Sequence, residues 1–397
     1  MSDPKLKSLP SAGQKNQAPA AQKPGAAVEP SPDLFDDSLK EFLKPVGPFL
    51  DDPSVTEIMI NSYNEIFIEI KGKIHRTQAT FGDEDKLRAA IINIAQTCGK
   101  SISEEEPVMD ARLRNGSRVC AVIKPCSKKG STIAIRKFSK EKLGLKELIS
   151  FGAMSLEMAR FLDLAIILKR NLLVSGGTGS GKTTLLNVLG SRIPGNERLI
   201  IIEDTAELQI KSNHVVNFET KPKDFEGKHE VTIRDLVKAS LRLRPDRIVV
   251  GEVRGAEALD LVQAMNTGHD GSMGTLHANN PTQAMNRMET LCMIADVGVP
   301  AQVIRAQVAD AVHLVVQTNR LRDGSRKITH VTEILGVDEQ GRYRANDLFL
   351  FRQTGISEDK RIVGEHVATG NIPSFREMIE TSGIPFDMGV FNPKKAA

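Results

Sequence analysis

The sequence predicts an α/β fold: a largely parallel sheet covered by helices, preceded by a small α+β unit. Three observations carry this. From residue 171 onward, short apolar runs alternate with helical patterns. The first of these runs, Asn171-Leu-Leu-Val-Ser175, feeds a glycine-rich stretch that opens a helical pattern. Upstream, residues 55–137 read as period-two runs broken by turn signals around one helix.

Taken in order, residues 1–34 hold Pro4, Pro10, Pro19, Pro24, Pro30 and Pro32 among Ala, Lys, Gln and Gly. They supply few core side chains, so a disordered tail is expected, either solvated or touching acidic lipid or a partner through its lysines. Residues 35–138 are expected to form the α+β domain. Asp33–Lys44 reads as a short helix. Glu57–Ile60 and Ile66–Ile70 read as paired strands around a polar turn, and Lys71-Gly72 turns into Lys73–Thr77. Asp83 caps a helix with Leu87, Ala90, Ile91, Ile94, Ala95 and Cys98 on one face, stopped by Gly99. Val108–Arg112, an Asn115-Gly116 turn, Arg118–Ile123 and Thr132–Lys137 add strands.

Residues 139–154 are expected as a linker, and 155–397 as the larger domain with a C-terminal extension. Ser155 caps a helix running to about Lys169. Arg198–Asp204 is a buried-strand pattern ending in two acids, and residues 211–230 supply an edge strand and a loop. Thr232-Ile-Arg-Asp235 is a capping box for a helix closed by Pro245. Arg247–Glu252 and Ser272–His277 read as strands on either side of a helix over Ala256–Met265. Asn280-Pro281 opens a further helix. Ala311–Thr318 reads as a strand, and Lys327–Val337 and Tyr343–Phe351 as an antiparallel pair.

Composition narrows the function. The 397 residues include 53 basic and 50 acidic side chains, a net charge of +3 that makes no case for nucleic acid. Aromatics are 4% and Trp is absent, so platforms for stacking bases are poorly supplied. Cys98, Cys120, Cys126 and Cys292 form no C-x-x-C pair, so no zinc site is expected; their scatter suits buried thiols in a reducing compartment. The best apolar run, Phe161–Leu168, contains Asp163 and is too short to span a membrane. With no signal-peptide pattern, a soluble cytoplasmic protein is expected.

The chemistry concentrates in the larger domain. Gly176-Gly177-Thr178-Gly179-Ser180-Gly181-Lys182-Thr183 matches G-x-x-x-x-G-K-[ST] between a strand and a helix. Glycines let successive backbone N–H groups point at phosphate oxygens, and the helix N-terminus adds its dipole. Lys182 reaches the β- and γ-phosphates, and the Thr183 hydroxyl can ligand Mg²⁺. Hydrolysis also needs acids that organise metal and water. Glu252 follows Ile248-Val-Val250, with Gly251 where Asp is often found, and Glu203-Asp204 follows Leu199–Ile202. His269 and His277 flank a glycine-rich entry to a strand. They read as a metal pair lacking a third ligand, as satisfied structural residues, or, for a strand-end His, as a γ-phosphate sensor.

The glycine loop, Ile202-Glu-Asp-Thr-Ala-Glu-Leu208, Leu243-Arg-Pro-Asp-Arg247, Val250-Gly-Glu-Val-Arg-Gly255 and Thr275-Leu-His-Ala-Asn279 together resemble the type II/type IV secretion ATPase superfamily. Val55–Asn61, Met109–Val119, Ile133–Phe138 and Ala368–Phe375 are similar to its CpaF (tight-adherence, Flp pilus) branch. The resemblance implies a RecA-like P-loop NTPase motor domain behind a PAS-like N-terminal domain, with ATP and Mg²⁺ as cofactors. It implies that Gly176 to Thr184 bind nucleotide, with Lys182, Glu203, Glu252 and His277 catalytic and Thr183 and Glu252 at the metal, through water. It places Arg112, Arg118, Arg136 and Arg254 toward nucleotide, with ordinary surface ion pairing as the alternative. It implies a homo-oligomeric, hexameric motor for pilus assembly, with retraction left open. Such a motor would sit in the cytoplasm against inner-membrane platform proteins, without zinc or nucleic acid. A conjugation-type secretion ATPase or a nucleic-acid motor is the alternative, disfavoured by chain length in the first case and by composition in the second.

Overall fold

The computed structural model describes residues 39–70, 72–138, 143–223 and 228–393. The tail expected over 1–34, the start of the expected 33–44 helix and the first part of the expected linker lie outside them. Contacts between Cα atoms divide the chain into two units. One runs to Ile68 and resumes over His75–Lys137; the other holds Glu69–Ile74 and Phe138 onward.

After a short helix α1 (Gly47–Asp51), strands β1 (Val55–Ser62), β2 (Glu65–Ile70), β3 (Lys73–Arg76), β4 (Val108–Arg112), β5 (Arg118–Val122) and β6 (Thr132–Arg136) form a sheet in the order β3-β2-β1-β6-β5-β4. Alternation decides which face is covered: Ile58, Ile60, Ile66, Ile68, Val119, Ala121, Ile133 and Ile135 are buried while their neighbours are not. Helix α2 (Glu84–Thr97) begins where Asp83 accepts the Lys86 N–H at 2.9 Å and buries Leu87, Ala90, Ile91, Ile94 and Ala95.

The second unit is a nine-stranded sheet flanked by helices. Its strands are β7 (Leu172–Gly176), β8 (Leu199–Glu203), β9 (Val215–Glu219), β10 (Arg247–Val250), β11 (Met273–Leu276), β12 (Leu314–Arg320), β13 (Arg326–Val337), β14 (Tyr343–Ile356) and β15 (Ile362–Ala368). They lie in the order β15-β14-β13-β12-β7-β11-β10-β8-β9. From β12 to β9 every pairing is parallel; β12 to β15 pair antiparallel. The helices are α3 (Leu145–Ser150), α4 (Leu156–Ile167), α5 (Lys182–Gly190), α6 (Ile233–Ser240), α7 (Glu257–Asn266), α8 (Pro281–Met293), α9 (Ala301–Ala311) and α10 (Arg376–Thr381).

Parallel strands buried on both faces read as continuous apolar runs, and their alternate residues feed two cores. Leu172, Val174, Leu199 and Ile201 join α4 and α5 residues on one face. Leu173, Ile200, Ile202, Ile248 and Val250 join α7, α8 and α9 residues on the other.

Three expectations need correction, and one stretch is new. The span read as a linker contains α3, whose Leu148 is buried in the second unit's core. Ala311 ends helix α9 rather than starting a strand; α9 follows Pro300 and has no side-chain cap, so its start carries no local signal. Strand β15 and helix α10 in the C-terminal extension carried no reading of their own. Cys292 is buried, but Cys120 and Cys126 are exposed.

Candidate active site

Four parallel strands deliver the predicted residues to one edge of the sheet. Ser175 on β7 pairs with Leu276 on β11, Gly274 with Val250 on β10, and Val250 with Ile202 on β8. The next residues along these strands are therefore neighbours: the glycine loop after β7, His277 after β11, Glu252 after β10, and Glu203-Asp204 at the end of β8. This is the carboxyl edge, where ligands bind in open α/β sheets.

The loop requires its glycines at particular points. Gly179 and Gly181 have φ of +68° and +98°, which L side chains resist. A Cβ on Gly176 would lie 2.2 Å from the Thr318 carbonyl oxygen. The Thr318 hydroxyl donates to the Ser180 carbonyl at 2.9 Å, and Arg326 Nε donates to the Gly179 carbonyl at 2.8 Å. Strands β12 and β13 thus brace the loop from one side. Sequence reasoning missed Arg326, because only the hairpin brings it within reach.

Lys182 is buried and folds back along the loop. Its Nζ donates to the Gly177 carbonyl at 3.1 Å and lies 3.3 Å from His277 Nε2. The same ring nitrogen lies 2.9 Å from Glu252 Oε1. One imidazole nitrogen either donates to Glu252 or accepts from Lys182; it cannot do both at once. Glu252 Oε2 receives Arg254 Nη2 at 2.6 Å, and Arg254 Nη1 reaches Asp204 Oδ2 at 3.2 Å. A continuous polar chain results: Lys182, His277, Glu252, Arg254, Asp204. Arg254, expected at nucleotide, is here engaged with two acids.

The electrostatics follow. Burial works against charge on Glu252, but the Arg254 hydrogen bond and the charges of Arg254, His277 and Lys182 hold its carboxyl below the ordinary range. Burial and the Lys182 charge push His277 down, with Glu252 opposing. Glu203 differs. Burial raises its carboxyl to about 7, against the pull of N–H donors from Glu207 and Leu208 at 3.0 and 3.1 Å. A Cβ on Gly251 would lie 2.8 Å from Glu203 Cγ. The stem of Glu203 therefore accounts for glycine at the position before Glu252.

At roughly 4.8 Å per strand, His277 is one strand from the loop, Glu252 two, and Glu203 three, or about 14 Å. The structure joins Lys182, His277 and Glu252 and leaves Glu203 deeper and farther away. His269 lies before β11 and His277 after it, so the strand separates them; among the described residues no cluster of metal-ligating side chains forms. Thr183 and Glu252 are hard oxygen donors, and Mg²⁺ keeps most of its shell as water and phosphate oxygen. These residues fit Mg²⁺, with Thr183 partly exposed at the first turn of α5.

In the small unit, Arg112 pairs across the sheet with Arg118, and Arg118 with Arg136. Directly paired residues share a face, so three guanidinium-bearing positions stand in a row.

The chain is similar to known proteins. The profile of the family described as "Type II/IV secretion system protein" matches residues 40–363. A putative conjugal transfer protein of Mycobacterium tuberculosis is 33% identical over 318 residues, covering 79% of this chain and 89% of its own length. Conjugal transfer protein TrbB of Rhizobium radiobacter is 32% identical over 317 residues, covering 79% and 92%. Among solved structures, the ATPase DotB of Yersinia pseudotuberculosis superposes with a TM-score of 0.51 at 20% identity, covering 79% of this chain and 81% of that one. That last likeness concerns the fold.

Proposed function

This chain belongs to the type II/IV secretion system protein family, and from that premise we propose that it is an ATP-hydrolysing ring motor of a conjugation-type secretion machine. The observation that carries the reading is the polar chain running from Lys182 through His277 to Glu252 beside the glycine loop. A strand-end acid kept ionised next to the lysine is the charge that a metal ion and an attacking water both require.

The roles follow from position. Backbone N–H groups of residues 176–184 and Lys182 hold the phosphates. Thr183 and Glu252 would hold Mg²⁺, Glu252 through water, and the ion would supply positive charge against the charge on the phosphates. Glu252 polarises the attacking water, and ATP and water become ADP and phosphate. His277 senses the γ-phosphate. When phosphate draws Lys182 away, Nε2 is left to Glu252 alone, so the state of the phosphate is reported at the β10 edge. Glu203 supports the acidic loop that follows it, where the backbone N–H groups of Glu207 and Leu208 close on its carboxylate. The row of Arg112, Arg118 and Arg136 supplies the anion contacts of the small unit.

A hexamer in the cytoplasm, docked on inner-membrane components, is the assembly this reading implies. Conjugation-type function ranks first because relatives of that description align over most of their own length. The argument against it from chain length loses its force on the same ground. Pilus assembly, the CpaF-like reading of Val55–Asn61 and Met109–Val119, ranks second. DNA-stimulated turnover would favour a nucleic-acid motor instead.

The test is ATP turnover per protomer against protein concentration, with Lys182→Ala alongside. Turnover should climb with concentration, and the variant should lose at least ~10²-fold, as when one key donor to a developing anion is removed. Full turnover in Lys182→Ala would overturn the site.

A further inference from the structure

Beside the glycine loop lies an open groove of about 520 Å³, lined by Gly177, His277 and Asn279 on one side and by Gln283, Asn286 and Arg287 of α8 on the other. Its place in the fold is set by the sequence. Residues 283, 286, 287 and 290 recur at helical spacing on one exposed face of α8, opposite the buried Ala284, Met285, Met288 and Leu291. Asn280 caps the helix three residues after His277 by accepting the Gln283 N–H at 2.8 Å. The groove therefore begins at the loop's second glycine and at the residue that contacts both Lys182 and Glu252.

The lining is donor-rich, and no carboxylate lines it among the described residues. The side chains of Asn279, Gln283, Asn286 and Arg287 have no hydrogen bond or ion pair among the described residues. The charge of Arg287 acts on His277, as that of Lys182 does from the other side. Lys182 and Arg287 thus flank His277 at the mouth of the groove, with the Glu252 carboxylate at 2.9 Å from the ring as the opposing charge. An unspent guanidinium and flexible amides around a space larger than one tetrahedral oxyanion and its waters suit an anion in passage.

We propose that this groove is a station for inorganic phosphate, held by Arg287 with Gln283 and Asn286 as the product leaves the loop. The proposal rests on the ATPase reading above. Hydrolysis leaves ADP held at the loop and frees phosphate on the His277 side, where the groove opens. Arg287 is a product-binding residue, distinct from the groups that act on the reacting atoms.

The experiment titrates the full-length protein with inorganic phosphate at equilibrium and measures product inhibition by phosphate in steady state. Wild type, Arg287→Gln, Arg287→Lys and Lys182→Ala are compared. Arg287→Gln should weaken phosphate binding and phosphate inhibition about tenfold, the lower end for a hydrogen bond to a charged group. It should leave the KM for ATP within about twofold, and Arg287→Lys should recover part of the loss. Unchanged phosphate binding in Arg287→Gln would overturn the station. So would a rise in the KM for ATP in the same proportion, which would make Arg287 a contact of the triphosphate. Phosphate binding that depends on Lys182 and not on Arg287 would overturn it while leaving the motor intact. A wild type without turnover would remove the motor reading, yet the equilibrium titration would still decide whether Arg287 binds phosphate.

Discussion

The two ends of the parallel strands hold polar groups in opposite conditions. At the amino end, Asn171 is fully buried and its side chain is saturated: Nδ2 donates to the Met265 and Ala311 carbonyls, and Oδ1 accepts from the N–H groups of Gly271 and Ser272. Beside it Arg247, with no exposed surface, forms a fork on Glu197 at 2.6 and 2.9 Å and donates to the Ile166 carbonyl at 2.7 Å. At the carboxyl end, one nitrogen of His277 has two competing partners, and Arg254 and His277 are half open to solvent. Buried polar groups that satisfy one another hold a shape. Groups left in competition are poised to be rearranged by a ligand. Arg and Glu form a closed pair at one end and links of an open chain at the other.

The comparison breaks most sharply at Glu197. Glu197→Ala strands the Arg247 guanidinium in the core, and removing one partner of a buried pair costs about 3–5 kcal/mol. Denaturant unfolding should show that loss, with nucleotide binding per folded molecule unchanged. A variant that stays as stable as wild type but binds nucleotide poorly would reverse the assignment of the two ends.

Next is Glu252→Gln, which keeps the shape and removes the charge. Turnover should fall ~10²–10³-fold, about 2.7–4 kcal/mol of barrier, while stability changes by much less than in Glu197→Ala. Because Arg254 then loses its ionised partner, thermal unfolding in parallel checks that the fold survives. Turnover near that of wild type would move the catalytic acid to Glu203.

That choice between acids was closed to sequence. The phosphate loop, the strand-end acids and the caps at Asp83, Ser155, Thr232 and Asn280 were legible because each cue is local: a glycine pattern, or an oxygen acceptor within three residues of the N–H it accepts from. The relevant distance is not local. Along the chain Glu203 is the first acid box after the loop, yet in the sheet β11 and β10 stand between β7 and β8. Only strand order shows that Glu252 is nearer. The glycine at 251 was read as a departure from the usual acid, and its cause, the stem of Glu203 packed where a Cβ would be, is again a contact between distant segments. Helix α9 was missed for the opposite reason: Pro300 at its start offers no side-chain acceptor, so its burial of Ile304, Val308 and Ala311 is decided by packing alone.

The finest test of the comparison is at Glu203. Its carboxyl is raised by burial to about 7 from 4.5. The folded state therefore binds this proton more tightly than the unfolded chain does. Between about pH 4.5 and 7 the folded state holds more protons, so this group makes stability fall as pH rises; above 7 both states are ionised and the cost is complete. Glu203→Gln cannot ionise but still accepts the N–H groups of Glu207 and Leu208. Across pH 4.5 to 8, the difference in unfolding temperature between variant and wild type should grow in favour of the variant up to about pH 7 and then level, while turnover falls less than in Glu252→Gln. A flat difference would mean that Glu203 titrates as an ordinary carboxylate. A turnover loss as large as that of Glu252→Gln would mean that Glu203, at the end of β8, also acts on the reaction.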